Sequence, residues 1–193
     1  MDFGLGRKGK LVVISGPSGA GKSTICRRLL KRMDAALSVS ATTRAKSSQE
    51  TDGVDYRFIT RQEFLGRVEK NEFLEYAEVF GNLYGTPRDT VEQMLNAGKT
   101  VILEIDVQGG RQVLRNYPEV ILIFIMPPNL DELVRRISGR ARDSAEVAKK
   151  RLEAAQREIA EAKEFYEHTV VNDDLEKAIN EVINIIENEE MTK

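Results

Sequence analysis

The chain has 193 residues, with 29 Lys and Arg against 31 Asp and Glu, and it contains one cysteine and one histidine. This length suits one domain with insertions, and the single Cys and His exclude an internal disulfide and a zinc site built from Cys and His clusters. The net charge of −2 gives no reason to expect nucleic-acid or membrane binding, so we predict a cytoplasmic protein that works through carboxylates, hydroxyls, Lys, Arg and backbone groups.

Short apolar runs alternate with amphipathic segments, a pattern typical of a sheet wrapped by helices. In chain order it predicts a strand at Leu11–Ile14, helices at Ser23–Met33 and Thr86–Ala97, strands at Thr100–Ile105, Val120–Met126 and Thr169–Val171, and a helix at Asp174–Glu189. The longest apolar run, Val120–Met126, is far shorter than the ~20 residues of a membrane-spanning helix. We therefore predict an α/β fold.

Two stretches depart from the alternation. Within residues 40–90, Asp55–Thr60 and Phe73–Phe80 are predicted strands around a helical segment at Arg61–Lys70, which indicates a small, mostly β insertion. Residues 129–155 are rich in arginine, and a long helix is predicted from Asp143 to about Glu167. The predicted division is a core of residues 1–39, 91–128 and 156–193, with excursions at 40–90 and 129–155.

A phosphate-binding motif follows the first strand and opens the first helix. Residues 16–23 match G-x-x-x-x-G-K-[ST] in full, and they are Gly16, Pro17, Ser18, Gly19, Ala20, Gly21, Lys22 and Ser23, followed by Thr24. The glycines let successive N–H groups point at phosphate oxygens. Lys22 is expected to reach the β and γ phosphates, and the Ser23 hydroxyl to complete a Mg²⁺ shell.

The strand Thr100–Ile105 delivers Glu104 and Asp106 to its C-terminal end. There the two carboxylates are predicted to lie beside the phosphate loop, where they could hold magnesium through water or meet a second substrate. The phosphate-binding motif indicates that the protein binds a phosphoryl donor, but it does not identify the acceptor.

Further motifs follow in order, and with the phosphate loop they resemble guanylate kinase over nearly the whole chain, from Leu11 to about Ile186. They are Ser40-Ala41-Thr42-Thr43-Arg44, Gly53–Phe58, Glu75, Gly81–Pro87, Ile105–Gly109, the arginine-rich Arg135–Arg151 and Val170–Asp173. The resemblance implies a P-loop NTPase-type, three-layer parallel-sheet core with a β-rich GMP-binding insertion at 40–90 and a helical lid at 129–155. It implies transfer of the γ-phosphoryl group of ATP to GMP with Mg²⁺, and dGMP is a second candidate acceptor.

The resemblance also implies roles for single residues. Glu75 matches the residue that reads guanine, whose N1–H and amino group one carboxylate can accept together, whereas adenine offers no such pair. The other residues expected to bind GMP are Ser40, Arg44, Tyr56, Tyr84, Thr86 and Asp106, with Arg44 and the two tyrosines on the phosphate. The expected catalytic cations are Lys22 and the lid arginines Arg136, Arg140 and Arg151, and Asn172 is expected near the adenine of ATP.

One segment departs from the family pattern. Where the family has a second phosphate-binding arginine this chain has Ser47, and Lys46 and Gln49 replace the proline and glycine that shape the loop. A hydrogen bond to a charged group contributes about 1.5–3 kcal/mol, so GMP binding is expected to weaken by roughly ten- to a hundredfold. The hypothesis is a working enzyme with a raised KM for GMP, in which Lys46 supplies a point charge without bidentate geometry.

Two alternatives stay open at the level of sequence. One is a related kinase that acts on a sugar phosphate such as ribose bisphosphate, against which Glu75, Ser40 and Thr86 argue. The other is a guanylate-kinase-like module that binds phosphopeptides without turnover, against which the intact Lys22 and Ser23 argue. Tyr56 and Tyr84 could also be ordinary core aromatics, and the arginines a solvated helix face.

Overall fold

Two β-sheets and the helices around them make up the fold. The computed structural model describes residues 9–79, 81–138 and 145–189, without the side chains of residues 130, 137, 138, 145–149 and 151. In chain order the elements of these ranges are β1 (Leu11–Ser15), α1 (Lys22–Arg32), β2 (Ala35–Leu37), β3 (Ala41–Thr42), β4 (Arg57–Phe58), α2 (Arg61–Glu69), β5 (Phe73–Val79), β6 (Asn82–Pro87), α3 (Arg88–Asn96), β7 (Thr100–Glu104), α4 (Val107–Asn116), β8 (Ile121–Met126), α5 (Leu130–Ser138), α6 (Ala145–Ala162), β9 (His168–Val171) and α7 (Leu175–Asn188).

The larger sheet has five parallel strands in the order β2-β7-β1-β8-β9. Side chains of β1 alternate between its two faces. Val12 and Ile14 pack in the core formed with α1 and α7, and Leu11 and Val13 pack in the core formed with α3, α4 and α6. The sheet is therefore buried between two helical layers, and the predicted three-layer α/β fold is confirmed.

The smaller sheet has four short strands in the order β4-β3-β6-β5. Strand β3 pairs parallel with β4 and antiparallel with β6, and β5 and β6 form an antiparallel pair. Helix α2 covers it, and Phe64 of that helix packs with Ala41, Phe73 and Leu83 in a separate small core. Phe64 and Phe73 stack with their ring centroids 4.4 Å apart. Of the predicted acceptor residues, Glu75, Tyr84 and Thr86 lie on this sheet, and Ser40, Arg44 and Tyr56 lie in the segments next to its strands. Asp106 follows β7 of the larger sheet. The domain boundaries remain a prediction.

Several element bounds differ from the sequence-based expectations. Helix α3 begins at Arg88 and not at Thr86, because Thr86 and Pro87 are the last residues of β6 and Thr86 pairs with Glu75 of β5. The strand predicted at Asp55–Thr60 is only two residues long, and the helix predicted to reach Glu167 ends at Ala162. The short strands β2 and β3 were not predicted, since neither reaches four residues.

Helices α5 and α6 pack against each other through Leu133, Leu152 and Ala155. They include part of the predicted lid, of which residues 139–144 lie outside the described residues. Across the described ranges, none of the helices is both long and apolar enough to pass through a lipid bilayer.

Candidate active site

The phosphate loop lies between β1 and α1, at the C-terminal edge of the parallel sheet. Gly16 and Gly21 have φ values of 148° and 100°, and neither has room for a side chain. A Cβ at Gly16 would collide with the Ile125 carbonyl, and one at Gly21 with the Asn172 side chain. Glycine is therefore required at both positions, since it adopts positive φ without strain and brings no Cβ. Together with the N-terminus of α1, this geometry is typical of a phosphate site.

Lys22 lies against its own loop. Its ammonium group donates to the carbonyl oxygens of Gly16 and Pro17, the second at 3.2 Å. Burial lowers the pKa of Lys22, while the negative charges of Glu158 and Glu104 oppose that shift. The lysine borders a cavity of about 340 Å³, which is also lined by Ser18, Gly19, Gly21, Ser23, Thr24, Arg27 and Arg136. The loop thus offers backbone amides, a cation and a hydroxyl to one open space.

Ser23 connects the loop to the end of β7. Its hydroxyl donates to Glu104 Oε1 at 2.5 Å. A hydroxyl and a carboxylate side by side are hard oxygen donors of the kind that Mg²⁺ prefers. Asp106, the other acid predicted here, caps helix α4 by accepting from the Gly109 N–H at 2.7 Å. The donor set of this corner therefore fits a magnesium ion, with Ser23 and Glu104 in contact.

Asn172 and Arg136 lie on the other side of the loop. The Asn172 side-chain amide donates to the Ala20 carbonyl at 2.7 Å, and Asn172 is buried. Arg136 of α5 donates to the Asn172 carbonyl at 3.3 Å and to Glu132 at 2.7 Å. Of the other two predicted lid arginines, Arg140 lies outside the described residues, and Arg151 belongs to α6 without a described side chain.

The predicted guanine-reading carboxylate is buried. Glu75 is 6% exposed, and the Thr86 hydroxyl donates to its Oε1 at 2.6 Å. Burial, reinforced by the charge of Asp106, raises the pKa of Glu75 to about 7 against the lowering effect of that hydrogen bond. A Cβ at Gly109 would lie 3.0 Å from Glu75 Oε2 and 3.4 Å from Asp106 Oδ1. The two carboxylates therefore flank the first turn of α4, and Thr86 leaves Oε2 of Glu75 for other donors.

The residues predicted to bind the phosphate of the acceptor lie around Arg44. Its guanidinium forms two hydrogen bonds with Glu50, at 2.6 and 3.1 Å, and lies 5.5 Å from the centre of the Tyr56 ring. Tyr56 and Tyr84 meet edge to face at 5.8 Å. The hydrogen bonds from Arg44 and from the Ser47 N–H lower the pKa of Glu50 to about 2. The structure thus brings Arg44, Tyr56 and Tyr84 together and adds Glu50 to them.

The remaining predicted acceptor residue is Ser40. Its carbonyl oxygen accepts from the Arg57 N–H at 2.9 Å, which fixes the chain between β2 and β3. Lys46, which was predicted to stand in for the second arginine, donates to the Glu50 carbonyl at 3.4 Å. Lys46 is therefore on the same loop as the Arg44–Glu50 pair.

The end of β7 links the two halves of the site. Glu104 contacts Ser23 of the phosphate loop, and Asp106 lies beside Glu75 of the smaller sheet. Because two residues span at most about 7 Å, the donor and acceptor halves meet within that distance along this strand end. Such an edge, at the carboxyl ends of parallel strands, is where ligands bind in open α/β sheets.

Two acidic residues at the site were missed by sequence reasoning. Glu50 is the last residue of the segment 45–50 that was compared with the family pattern, but no role was predicted for it. Glu158 of α6 is half-buried in a cavity with Asp106 and Glu161. Burial raises its pKa to about 7 despite the opposing charge of Lys22. Nothing in the amphipathic pattern of α6 distinguishes this glutamate from its solvated neighbours.

Comparison with known proteins finds relatives that match most of the chain. A family model described as guanylate kinase matches residues 8–189. A guanylate kinase of Carboxydothermus hydrogenoformans is 49% identical over 176 residues, which cover 91% of this chain and 86% of that protein. A guanylate kinase of Clostridium acetobutylicum is 46% identical over 182 residues, covering 94% and 87% of the two chains.

A solved structure is similar over the same extent. The crystal structure of guanylate kinase from Anaplasma phagocytophilum superimposes with a TM-score of 0.78 at 36% sequence identity. The match covers 98% of this chain and 90% of that one. Both sheets and the helices around them therefore fall within the matched region.

Proposed function

The chain belongs to the guanylate kinase family, and we propose how its residues transfer a phosphoryl group between nucleotides. As a member of the family it is a nucleoside monophosphate kinase that converts ATP and GMP to ADP and GDP. The relatives favour neither the sugar-phosphate kinase nor the phosphopeptide-binding module. We also assign the reaction to purine nucleotide metabolism in the cytoplasm, because both substrates and products are soluble nucleotides.

Residues 16–24 bind the phosphates of ATP. The loop N–H groups and the N-terminus of α1 meet the phosphate oxygens, and the Lys22 ammonium moves from the Gly16 and Pro17 carbonyls to the β and γ phosphates. Those carbonyl contacts hold the cation at the mouth of the loop. Asn172, tied to the Ala20 carbonyl, lies on the adenine side.

Ser23, with Glu104 in contact with it, would hold Mg²⁺, and Asp106 would reach it through water. When bound, the ion neutralises charge on the phosphoryl oxygens. The Ser23–Glu104 hydrogen bond keeps both oxygen donors at one place before any nucleotide is present. This set of proposed Mg²⁺ ligands is tested by measuring the rates of the Glu104→Gln variant and the wild type over a range of MgCl2 concentrations. Equal Mg²⁺ dependence of the two rates would contradict it.

Glu75 selects guanine. Thr86 occupies one lone pair of Oε1, so the rest of the carboxylate accepts from guanine N1–H and its amino group, and Ser40 adds a hydroxyl contact to the base. Arg44 holds the GMP phosphate by a bidentate contact and exchanges Glu50 for it. Burial raises the pKa of Tyr56, so its hydroxyl stays a hydrogen-bond donor beside Arg44.

The transfer itself needs charge stabilisation and alignment more than a base. The acceptor oxygen belongs to a phosphate that is already anionic, so no side chain has to remove a proton from it. Negative charge spreads over the moving group in the transition state, and cations placed around it stabilise that charge. Lys22 and Arg136 border the cavity where this happens, and Arg140 and Arg151 complete the proposed set.

The observation that best supports the mechanism is the end of β7, where Glu104 and Asp106 bring the two half-sites together. A coupled ADP-release assay with GMP, dGMP, AMP and ribose phosphates tests it. Turnover is expected with the guanine nucleotides and at least a hundredfold less with AMP, because Glu75 would face unmatched lone pairs. Equal rates with AMP or with a sugar phosphate would contradict the assignment of Glu75.

A further inference from the structure

A second group of ligating side chains lies at the opposite edge of the large sheet. Glu167, His168 and Glu189 each place one ligand atom so that all three atoms lie within 4.8 Å of one another. His168 Nε2 and Glu189 Oε1 are 2.6 Å apart. These residues play no part in the kinase reaction described above. An imidazole between two carboxylates is a mixed nitrogen and oxygen donor set, which suits first-row transition metals more than Mg²⁺.

The position of the cluster separates it from the phosphate loop. His168 is the first residue of β9 and pairs with Ile123, whereas Asn172, which contacts the phosphate loop, follows the last residue of the same strand. Four residues of strand span about 13 Å. Glu189 ends helix α7, so the three residues join the start of β9 to the C-terminus of the last described helix.

The cluster has room for an ion and its waters. It borders a cavity of about 170 Å³, also lined by Glu119, Pro118, Val120 and Phe165. Ligand atoms about 2.0–2.2 Å from a tetrahedral zinc ion lie about 3.4 Å apart. The widest spacing therefore needs to contract by at most about 1.4 Å, which the exposed Glu167 side chain can supply by rotation about its own bonds. His168 Nε2 and Glu189 Oε1, now 2.6 Å apart, need to separate by about 0.8 Å to admit the ion.

We propose that Glu167, His168 and Glu189 form a binding site for a divalent transition-metal ion such as Zn²⁺, which fastens the end of α7 to β9. The ion replaces the hydrogen bond between His168 Nε2 and Glu189 Oε1, and the coordinated neutral imidazole carries its one proton on Nδ1. Water or Glu119 completes the coordination. Because binding requires the folded chain, the ion stabilises the protein and leaves the phosphoryl-transfer residues untouched.

The test is metal binding by the nucleotide-free protein, with Zn²⁺ in thermal unfolding and titration calorimetry and Co²⁺ in visible absorption. At a Zn²⁺ concentration about a hundred times the Kd, Tm is expected to rise by roughly 5–10 °C, and EDTA should reverse the rise. Co²⁺ should give the visible bands of a four-coordinate site. The same concentration of MgCl2 should give neither effect.

His168→Gln and Glu167→Gln are each expected to weaken Zn²⁺ binding at least tenfold, since loss of even an indirect partner of a ligand weakens sites by about 10–100-fold. Glutamine at 168 keeps a donor for Glu189, and Glu167 is exposed, so both variants should fold as the wild type does without metal. Glu187→Gln, an exposed neighbour of the cluster on α7, is the matched control and should bind as the wild type does. Wild-type affinity in either of the first two variants, or no Co²⁺ bands in the wild type, would overturn the proposal.

Discussion

The two halves of the proposed active site are built from the chain in different ways. The donor half is local, because most of the groups around its cavity belong to residues 16–24, where one strand runs directly into one helix. The acceptor half is non-local, since its groups come from residues between 40 and 106 and meet through the pairing of β3, β5 and β6 and the first turn of α4. The donor half therefore depends on the conformation of one short segment, whereas the acceptor half depends on the tertiary structure that brings distant segments together.

The halves also differ in how their charges are satisfied before substrates arrive. Lys22 contacts the backbone carbonyls of its own loop, whereas Glu75 and Arg44 each contact a side chain, Thr86 and Glu50 respectively. Backbone groups offer the same donors to any triphosphate, so the donor half recognises charge. Side-chain pairs present a fixed number of free lone pairs and donors, so the acceptor half can discriminate between bases.

The largest fall in activity is expected when the cation of the donor half is removed. Lys22→Ala should lower kcat by at least about a thousandfold at saturating ATP and GMP, because the β and γ charge would lose its cation in the transition state. Lys31→Ala, which removes an exposed lysine from the same helix, should stay within about twofold of the wild type. A Lys22→Ala enzyme within tenfold of wild-type kcat in the ADP-release assay would show that the loop backbone alone suffices.

The next effect breaks the acceptor half alone. Glu75→Gln should lower kcat/KM for GMP by about a hundredfold, since an amide group would face the guanine donors with a donor of its own. The KM for ATP should change by no more than about twofold. Glu78→Gln, on the same strand and exposed, is the matched control. A parallel loss for both substrates would mean that Glu75 supports the fold and does not read the base.

One substitution in the acceptor half is expected to improve GMP binding. Ser47→Arg should lower the KM for GMP by roughly ten- to a hundredfold, because a second guanidinium would join Arg44 at the acceptor phosphate. The Ser47 N–H already donates to Glu50 at 2.9 Å, so position 47 lies at the Arg44–Glu50 pair. Ser48→Arg is the neighbouring control with the same added charge. No fall in KM, or an equal fall in both variants, would refute the raised-KM hypothesis.

The smallest effect is a pH dependence confined to the acceptor. Burial raises the pKa of Glu75 to about 7, so its carboxyl is mostly protonated at pH 6 and mostly ionised at pH 8. Only the ionised form accepts both guanine donors, and the KM for GMP should therefore be about tenfold higher at pH 6 than at pH 8. Because the GMP phosphate also titrates near pH 6, the Glu75→Gln variant measures that contribution separately. An equal pH dependence in the variant and the wild type would remove Glu75 from the explanation.

The difference between local and non-local structure also explains which features could be predicted from the sequence. The buried strands β1, β7 and β8 were predicted within one or two residues, since each is a continuous apolar run with helical sequence nearby. The phosphate loop was predicted from one continuous motif. Thr86 was predicted both to begin a helix and to bind GMP, and the structure places it in β6 with its hydroxyl on Glu75. Local signals for a cap exist there, but strand pairing with β5 overrides them.

The acceptor residues could be named only through the family resemblance, because no local pattern connects Glu75 to Asp106 or Arg44 to Tyr84. Their contacts depend on the register of β5 against β6, in which Glu75 faces Thr86, and on the loop that returns Glu50 to Arg44. Glu158 belongs to no such motif and Glu50 was given no role, so the contributions of both were missed. Their placement follows from tertiary packing, which periodicity does not report.

In the role proposed for Arg44, its ion pair with Glu50 turns entry of the acceptor phosphate into an anion exchange. The guanidinium releases one anion as it receives another, so the positive charge available to the incoming nucleotide is smaller than a free arginine would offer. Attraction from a distance is reduced accordingly, and GMP capture should respond less to ionic strength than ATP capture at the phosphate loop does.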